Sequence, residues 1–426
     1  MRLVFPRCSA SKFAWSAVAV LGASVLAACS TASSPGGHTS PGRLTSPITI
    51  GASLSLTGLF SADGVAFERG YELWASDVNS RGGIGGRRVK LTILNDQSSP
   101  NLVVTNYQKL LGVDHVDLAF GPFSSLLTAP ASSVASRYGM AFVEGAGGAP
   151  SVFDTPSNQA DHNVFDVSLP VADEMVPFVD WIASMPPSER PKTAAYPMAQ
   201  DPFADPPVQL AQTLLQNLGL HTVYSNIFPS VVSDYLHAAD QVAVTGAQVV
   251  VLGSTDVPTV SAFMQRFEQQ HYTPKVFVAA AGPDQGGAFI GAVGMGNANG
   301  MMVPNGWFPG YRNSASQQMV REYVARYHGS PDAVNADVAE AYSVGQVMEQ
   351  AVTATGGTDN SKIITFLHSG VTLTSVQGPV KFDALGENGA AAAFIFQWQQ
   401  GSFKQVLPSG TAGSVHIVST KPPWAK

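Results

Sequence analysis

Between positions 48 and 143, the apolar residues alternate between short continuous runs and longer runs with helical spacing. The short runs predict strands at 48–53, 89–94, 118–120 and 141–143. The longer runs predict helices over 67–79, 102–111 and 125–138. In the first of these helices, Phe67, Tyr71 and Trp74 recur at the three- and four-residue spacing of one helical face. Alternation of strand and helix is typical of a parallel sheet with helices on both faces.

A second alternating series follows position 163. Its strands are predicted at 193–196, 223–228, 249–252 and 276–280, and its helices at 171–183, 208–218, 235–245 and 263–270. The roughly 380 residues beyond the amino-terminal segment exceed what one compact core holds. The pattern therefore predicts an α/β fold with two lobes, and a ligand cleft beyond the carboxyl ends of the strands.

The first thirty residues differ from this pattern. Arg2, Arg7 and Lys12 precede an apolar run over 13–28, which ends in the sequence LAAC at Cys29. The run is too short for a good membrane-spanning helix, and small residues before a cysteine resemble the bacterial lipobox. We expect a signal peptide at 1–28 and a lipid on Cys29, which would anchor the protein to the outer face of the cell membrane. The alternative is an ordinary signal peptide with a chance cysteine.

Composition narrows the choice of partners. The polar segment 29–47 offers almost nothing to pack, so we expect a flexible tether. Cleavage after position 28 would remove three positive charges and take the formal net charge from −7 to −10, which argues against nucleic acid as a partner. Cys8 and Cys29 are the only cysteines, so the predicted mature domain has no thiol for a disulfide, zinc site or nucleophile.

Several motifs occur in an order that resembles one family. The stretch 51–100 contains an opening loop, a helix, the turn NSRGGIGG and the strand end NDQSSP, and GPFSS, GPD and GPVKFD follow at 121, 282 and 378. Over positions 48–406 the chain is similar to the solute-binding proteins of branched-chain amino acid importers. That resemblance implies a type I periplasmic binding protein, with two doubly wound parallel-sheet lobes joined by three hinge crossings.

The crossings are expected near 163–165, near Trp307 and in the last fifty residues. They give an N-terminal lobe of 48–165 and 308–385, and a C-terminal lobe of 166–307 and 386–426. The last crossing is the least defined, because the short strand at 393–397 fits either lobe.

The resemblance implies that Ser125 binds the carboxylate of the ligand. A serine at the start of a helix suits an anion, since free N–H groups and the helix dipole favour negative charge there; it equally suits a simple N-cap. The resemblance also assigns carboxylate contacts to Ala146 and Gly148, although Gly148 lacks the hydroxyl group that the family has there. Glu144, just before them, either adds charge to the cleft or is solvated.

In the second lobe, the resemblance assigns the ligand's ammonium group to Asp284. A carboxylate opposite an anion site would bind a zwitterion through charge-assisted hydrogen bonds, and the alternative for Asp284 is a turn or helix cap. Phe203 replaces the family's tyrosine and can stack without hydrogen-bonding. Phe60, Phe123 and Trp307 are either apolar walls of the cleft or core residues.

Three functions remain open at this point. In the first, the chain captures a small solute, an α-amino acid or amide ahead of a small aromatic or aliphatic carboxylate, and delivers it to the permease of an ABC importer. The second is a ligand sensor for a membrane signalling partner. The third, a lipid-anchored hydrolase, has little support, because the sequence contains no GxSxG, HExxH or GxxxxGK motif. No cofactor or metal ligand set is expected, since the nine histidines show no metal-ligand spacing.

Overall fold

The computed structural model describes residues 46–229, 232–311, 313–331, 334–411 and 413–425. The predicted signal peptide, Cys29 and nearly all of the predicted tether lie outside the described residues, so these assignments stay predictions. Within the described ranges, no helix is both long and apolar enough to span a membrane.

Strands and helices alternate along most of the described chain. The strands are β1 (Ile48–Leu54), β2 (Val89–Asn95), β3 (Leu118–Phe120), β4 (Phe142–Glu144), β5 (Val164–Asp166), β6 (Thr193–Ala199), β7 (His221–Phe228), β8 (Val249–Leu252), β9 (Val276–Ala279), β10 (Met301–Asn305), β11 (Leu373–Ser375), β12 (Gly378–Val380), β13 (Phe394–Gln399) and β14 (Ser402–Leu407). The helices are α1 (Ser61–Ser80), α2 (Pro100–Gly112), α3 (Ser125–Arg137), α4 (Pro150–Phe153), α5 (Pro156–Asp161), α6 (Val176–Ser184), α7 (Asp205–Asn217), α8 (Val232–Thr245), α9 (Val257–Gln269), α10 (Gly287–Val293), α11 (Met295–Ala298), α12 (Ser314–Tyr327), α13 (Ala336–Thr355) and α14 (Asn360–Leu367).

Two sheets carry the fold. The first has the order β2-β1-β3-β4-β5 and is parallel throughout. The second has the order β14-β13-β10-β9-β8-β6-β7, in which β6 to β10 are parallel, and β13 and the edge strand β14 pair antiparallel. We call each sheet with its packed helices the first and the second lobe. The predicted fold class is confirmed, and the strand that fitted either lobe pairs with β10 of the second.

Three predicted helices differ most from the observed ones. The single helix predicted at 171–183 is wrong, because a short 3-10 helix, Val171–Asp173, precedes a separate helix α6. Pro177 stands in the first turn of α6, where its missing N–H costs nothing, whereas it would break a helix that ran through it. Helix α1 begins at Ser61 rather than at 67, and α9 begins at Val257 rather than at 263. The first turn of α1 was not predicted because it is polar and shows no apolar periodicity.

Both faces of each sheet are covered by buried apolar side chains. In the first lobe, α1 packs closely against α13. A Cβ atom on Gly70 would lie 2.5 Å from the carbonyl oxygen of Val338, and one on Gly345 would lie 2.1 Å from the ring of Trp74. Only glycine allows this approach. The close packing fixes α13, and with it the residues that α13 presents at one edge of the sheet.

The chain passes between the lobes more than once. It leaves the first sheet after β5, returns after β10 to helices that pack on the first lobe, and re-enters the second sheet at β13. The residue boundaries proposed for the two lobes stay predictions. Strand order reverses at β1 and β3 in the first sheet, and at β6 and β8 in the second. Such reversals open a crevice at the carboxyl ends of the strands.

Candidate functional site

A cleft of about 800 Å³, a volume that includes space open to solvent, lies between the two lobes. Its first-lobe wall is formed by the loops after β3 and β4, the end of β5, and side chains of α1 and α13. Its second-lobe wall is formed by the loops after β6, β8, β9 and β10. The cleft therefore occupies the place where parallel sheets bind ligands.

The loop after β3 corrects one predicted contact. Ser125 does not line the cleft: it is fully buried, and its Oγ accepts a hydrogen bond from the N–H of Ala149 at 3.2 Å. Ser124 lines the cleft instead, and its Oγ caps α3 through the N–H of Leu127. The φ angle of Ser124 is +75°, which is strained for a residue with a side chain. At this strained turn Ser124 lies in the cleft wall and Ser125 lies behind it.

The loop after β4 contributes Ala146 and Gly148, both of which line the cleft. A Cβ atom on Gly148 would lie 2.6 Å from Oδ2 of Asp166, so only glycine fits beside this carboxylate. Glu144 is neither solvated nor in the cleft wall. It is fully buried, its Oε2 accepts hydrogen bonds from the N–H groups of Ala146 and Gly147, and burial raises its pKa well above the ordinary value.

The second-lobe wall includes Asp284 and Phe203. Oδ1 of Asp284 accepts a hydrogen bond from the N–H of Gly282 at 2.9 Å, and Oδ2 accepts one from the side chain of Asn305 at 3.2 Å. Asp284 therefore forms a local turn contact and faces the cleft at the same time. Two neutral donors hold its carboxylate in place, and burial raises its pKa.

The predicted aromatic walls are only partly present. Phe123 and Phe203 line the cleft, but Phe60 is 2% exposed and packs behind Phe123, with the ring centroids 5.7 Å apart. Trp307 is buried, and its Nε1 donates a hydrogen bond to Ser316 at 2.9 Å. Phe60 and Trp307 thus support the walls as core residues, the alternative that the sequence had left open.

The cleft also contains carboxylates that the sequence analysis missed. These residues are Asp63, Asp166, Glu174, Asp201, Asp337 and Glu340. Two of them had a sequence signal: Asp166 ends β5, and Asp201 follows β6 by two residues, at strand ends where ligand groups are expected. Asp337 and Glu340 lie one turn apart on α13, whose relation to the cleft depends on the packing of α13 against α1.

Burial and mutual repulsion raise the pKa values of these groups. Burial raises the pKa of Asp166 and of Asp337 to about 7, and that of Asp201 to about 6. The pKa of Asp63 rises well above its ordinary value through burial and then through the charge of Asp337, and that of Glu340 rises for the same two reasons. Ionising these carboxyl groups inside the cleft therefore costs free energy.

No positive charge offsets these carboxylates in the part of the chain that the structure describes. None of the described residues that line the cleft is Lys, Arg or His. None of the ion pairs among the described residues includes a carboxylate that lines the cleft. The described residues contain no group of three or more His, Cys, Asp or Glu side chains placed to hold a metal ion.

One side chain bridges the lobes at the cleft. Gln285, in the loop after β9, donates from Nε2 to Asp63 of α1 and to Asp337 of α13, the latter at 3.1 Å. Its Oε1 accepts from the side chain of Asn335 at 3.2 Å. A residue of the second lobe is thus held by three side chains of the first. The shape of the cleft therefore depends on the relative position of the two lobes.

Comparisons with known proteins agree with this architecture. The family model for periplasmic binding proteins matches residues 47–402. Among curated relatives, Leu/Ile/Val-binding protein homolog 7 of Brucella suis is 23% identical over 382 residues, which cover 86% of this chain and 92% of the relative.

Two solved structures share the fold. The branched-chain amino acid transporter substrate-binding protein of Streptococcus pneumoniae, in complex with isoleucine, gives a TM-score of 0.72 at 16% identity, covering 88% of this chain and 100% of that one. An ABC transporter solute-binding protein of R. palustris, in complex with benzoate, gives 0.71 at 18% identity, covering 88% and 99%. The family consists of solute-binding proteins rather than enzymes. The chain therefore belongs to the periplasmic binding protein family.

Proposed function

We propose that this protein captures a small solute with an amine group between its lobes and delivers it to the permease of an ABC importer. The observation that carries the proposal is the cleft between the carboxyl ends of the two sheets, where Asp284 is held by two neutral donors and has no cation beside it among the described residues. A fixed carboxylate in a buried place is suited to an ammonium group, because charge-assisted hydrogen bonds are the stronger kind.

The solved neighbours suggest two ligand classes, an amino acid and an aromatic carboxylate. The acidic walls favour the first class. A benzoate-like anion would enter a cleft with seven carboxyl groups and no basic side chain among its described lining residues. It would find no cation to pair with there, and any carboxylate that ionises would repel it. An α-amino acid or amide therefore ranks ahead of a simple carboxylate.

Lobe closure around the solute supplies the signal for delivery. A ligand that contacts both walls favours the closed arrangement by its differential affinity for that state. The bridge from Gln285 to Asp63 and Asp337 is one contact that closure would make and opening would break. The permease would then distinguish a loaded receptor from an empty one by the relative position of the lobes.

The proposal includes a lipid anchor on Cys29. Each buried methylene of an acyl chain contributes about 0.8 kcal/mol, so a multiply acylated residue would keep the protein at the membrane surface. The polar tether would let the two-lobed domain reach the permease.

A melting-temperature screen of the full-length chain in mild detergent tests the proposal. The library would contain amino acids, amides, amines and aromatic carboxylates. A ligand at 100 times its dissociation constant stabilises the folded protein by about 2.7 kcal/mol. We expect amine-bearing solutes to raise the melting temperature, with a smaller rise in Asp284→Asn than in the exposed control variant Asp180→Asn. A rise from carboxylates alone, or from no compound, would contradict the proposal, and uptake by cells that lack the protein tests delivery.

A further inference from the structure

The two walls of the cleft are both acidic. The first lobe contributes Asp63, Asp337 and Glu340 from its helices and Asp166 from the end of β5. The second lobe contributes Asp201 and Asp284 from loops after its strands, and Glu174 follows the 3-10 helix that packs on α7. If more than one of these seven carboxyl groups ionises, the negative charge exceeds what a single ammonium group of the solute would balance.

Two of these carboxylates have an oxygen atom without a hydrogen-bond partner. Asp166 is 1% exposed, and its Oδ1 accepts from the N–H of Ser168 at 2.8 Å, but its Oδ2 is buried and unpartnered. Oε2 of Glu174 is likewise buried and unpartnered. A buried carboxylate oxygen without a donor is costly whether or not it carries a proton, because the protonated form then lacks an acceptor.

The missing side chain of Gly148 leaves room beside the unpartnered oxygen of Asp166. Because any Cβ on Gly148 would crowd that oxygen, the loop after β4 leaves space for it, and both residues line the cleft. An occupant of the cleft can supply the donor that Asp166 lacks. A positively charged N–H group is the donor that satisfies both the hydrogen bond and the charge.

A metal ion does not fit this arrangement. The described carboxylates and histidines form no group of three that could coordinate one cation, so the negative charge is spread along the walls rather than focused at a point. Between the charges, Phe123 and Phe203 provide apolar lining. An aliphatic chain can pack on such rings while its charged ends reach carboxylates, and the ring faces also attract cations.

We infer that the solute carries at least two cationic nitrogen atoms, as an aliphatic diamine, a polyamine or a dibasic amino acid does. One nitrogen donates to the free oxygens of Asp166 and Glu174, and another offsets the remaining carboxylates, with the carbon chain between the aromatic side chains. The inference rests on the proposed function of solute capture, and it specifies the charge of the solute.

Isothermal titration of the full-length chain in mild detergent at pH 8 tests the inference. The probes are butylamine, 1,4-diaminobutane, L-lysine, L-leucine and benzoate. We expect 1,4-diaminobutane or L-lysine to bind at least tenfold tighter than butylamine and L-leucine. Tighter binding of 1,4-diaminobutane would identify the solute as a free diamine, and tighter binding of L-lysine would identify it as a dibasic amino acid. Either result supports the inference.

Other outcomes separate the two proposals. If L-leucine or benzoate binds as tightly as the dications, the inference on charge is overturned while solute capture stands. If none of the probes and none of the compounds in the wider library binds, both are overturned.

Single-charge variants locate the contact. Asp166→Asn and Asp201→Asn are expected to lower the affinity for the tighter dication roughly tenfold or more and to weaken its salt dependence. The exposed control Asp180→Asn, which removes the same charge from α6, is expected to leave both unchanged. Titration in buffers of different ionisation enthalpy should show proton release on binding. Unchanged affinity in both cleft variants, with melting curves that show folded protein, would overturn the inference.

Discussion

Neutralising Asp166 is expected to stabilise the ligand-free protein, and the gain is expected to depend on pH. Burial raises the pKa of Asp166 from its ordinary 3.8 to about 7, helped by the charge of Glu387 and opposed by the hydrogen bond from Ser168. The folded protein therefore keeps a proton on Asp166 that the unfolded chain has lost between these two pH values. Because the folded state binds more protons there, raising the pH through this window lowers stability.

The size of the effect follows from the width of the window. Each pH unit between 3.8 and about 7 costs the folded state roughly 1.4 kcal/mol, so the whole window gives about 4 kcal/mol as an upper limit. Water entry and small shifts of the loop reduce this figure, and we expect ~1–3 kcal/mol. Asp166→Asn removes the titration while its amide oxygen still accepts from the N–H of Ser168.

Urea denaturation of the full-length chain in detergent measures the effect at pH 5, 6, 7 and 8. The stability of Asp166→Asn relative to the natural sequence should rise from pH 5 to pH 7 and stay level above it. The control Asp180→Asn, an exposed acid on α6, should run parallel to the natural sequence at every pH. Parallel curves for Asp166→Asn would refute the argument, as would a gain that is largest at pH 5. Because the charge of Asp166 helps to raise the pKa of the buried Glu144, the variant should also lower the pKa of Glu144.

Three further changes test the packing, the lobe bridge and the anchor. Gln285→Ala removes the bridge to Asp63 and Asp337, so small-angle scattering of the ligand-free chain should show a larger radius of gyration than for the exposed control Gln209→Ala; equal radii would contradict the bridge. Gly345→Ala forces a Cβ against Trp74 and should lower the free energy of unfolding by about 1–3 kcal/mol in urea; no loss would show that α1 and α13 can separate without cost. Cys29→Ser should move the protein from the membrane fraction to the soluble fraction on centrifugation, whereas Cys8→Ser should not; retention of Cys29→Ser in the membrane would refute the anchor.

Most of the fold was predictable because it depends on local pattern. The runs that became β1, β8 and β9 are short and β-branched-rich, and most helices between the strands have clear apolar periodicity. The errors occurred where local pattern was weak. The polar first turn of α1 gave no periodic signal, and the apolar residues around Pro177 suggested a continuous helix, although proline starts α6 there.

The site was less predictable because side-chain direction depends on backbone angles that spacing does not encode. Ser124 and Ser125 are adjacent and chemically identical, and the positive φ of Ser124 decides which of them lines the cleft. Ala146, Gly148 and Asp284, which the resemblance assigned to the ligand, line the cleft in loops that follow strand ends, where parallel sheets bind ligands. Whether these residues bind the solute stays a prediction.

The acidic lining of the cleft was the property that the sequence predicted least, and the reason is physical. Each acidic residue looks ordinary alone, since most carboxylates lie at the surface and are solvated. Asp63 and Asp337 are separated by more than two hundred residues, and they meet only because glycine lets α1 approach α13. The second lobe then adds Asp201 and Asp284 opposite them. The tight helix packing therefore does more than stabilise one lobe: it holds the first acidic wall in the position where a cationic solute must enter, so changes at Gly345 should weaken solute binding as well as stability.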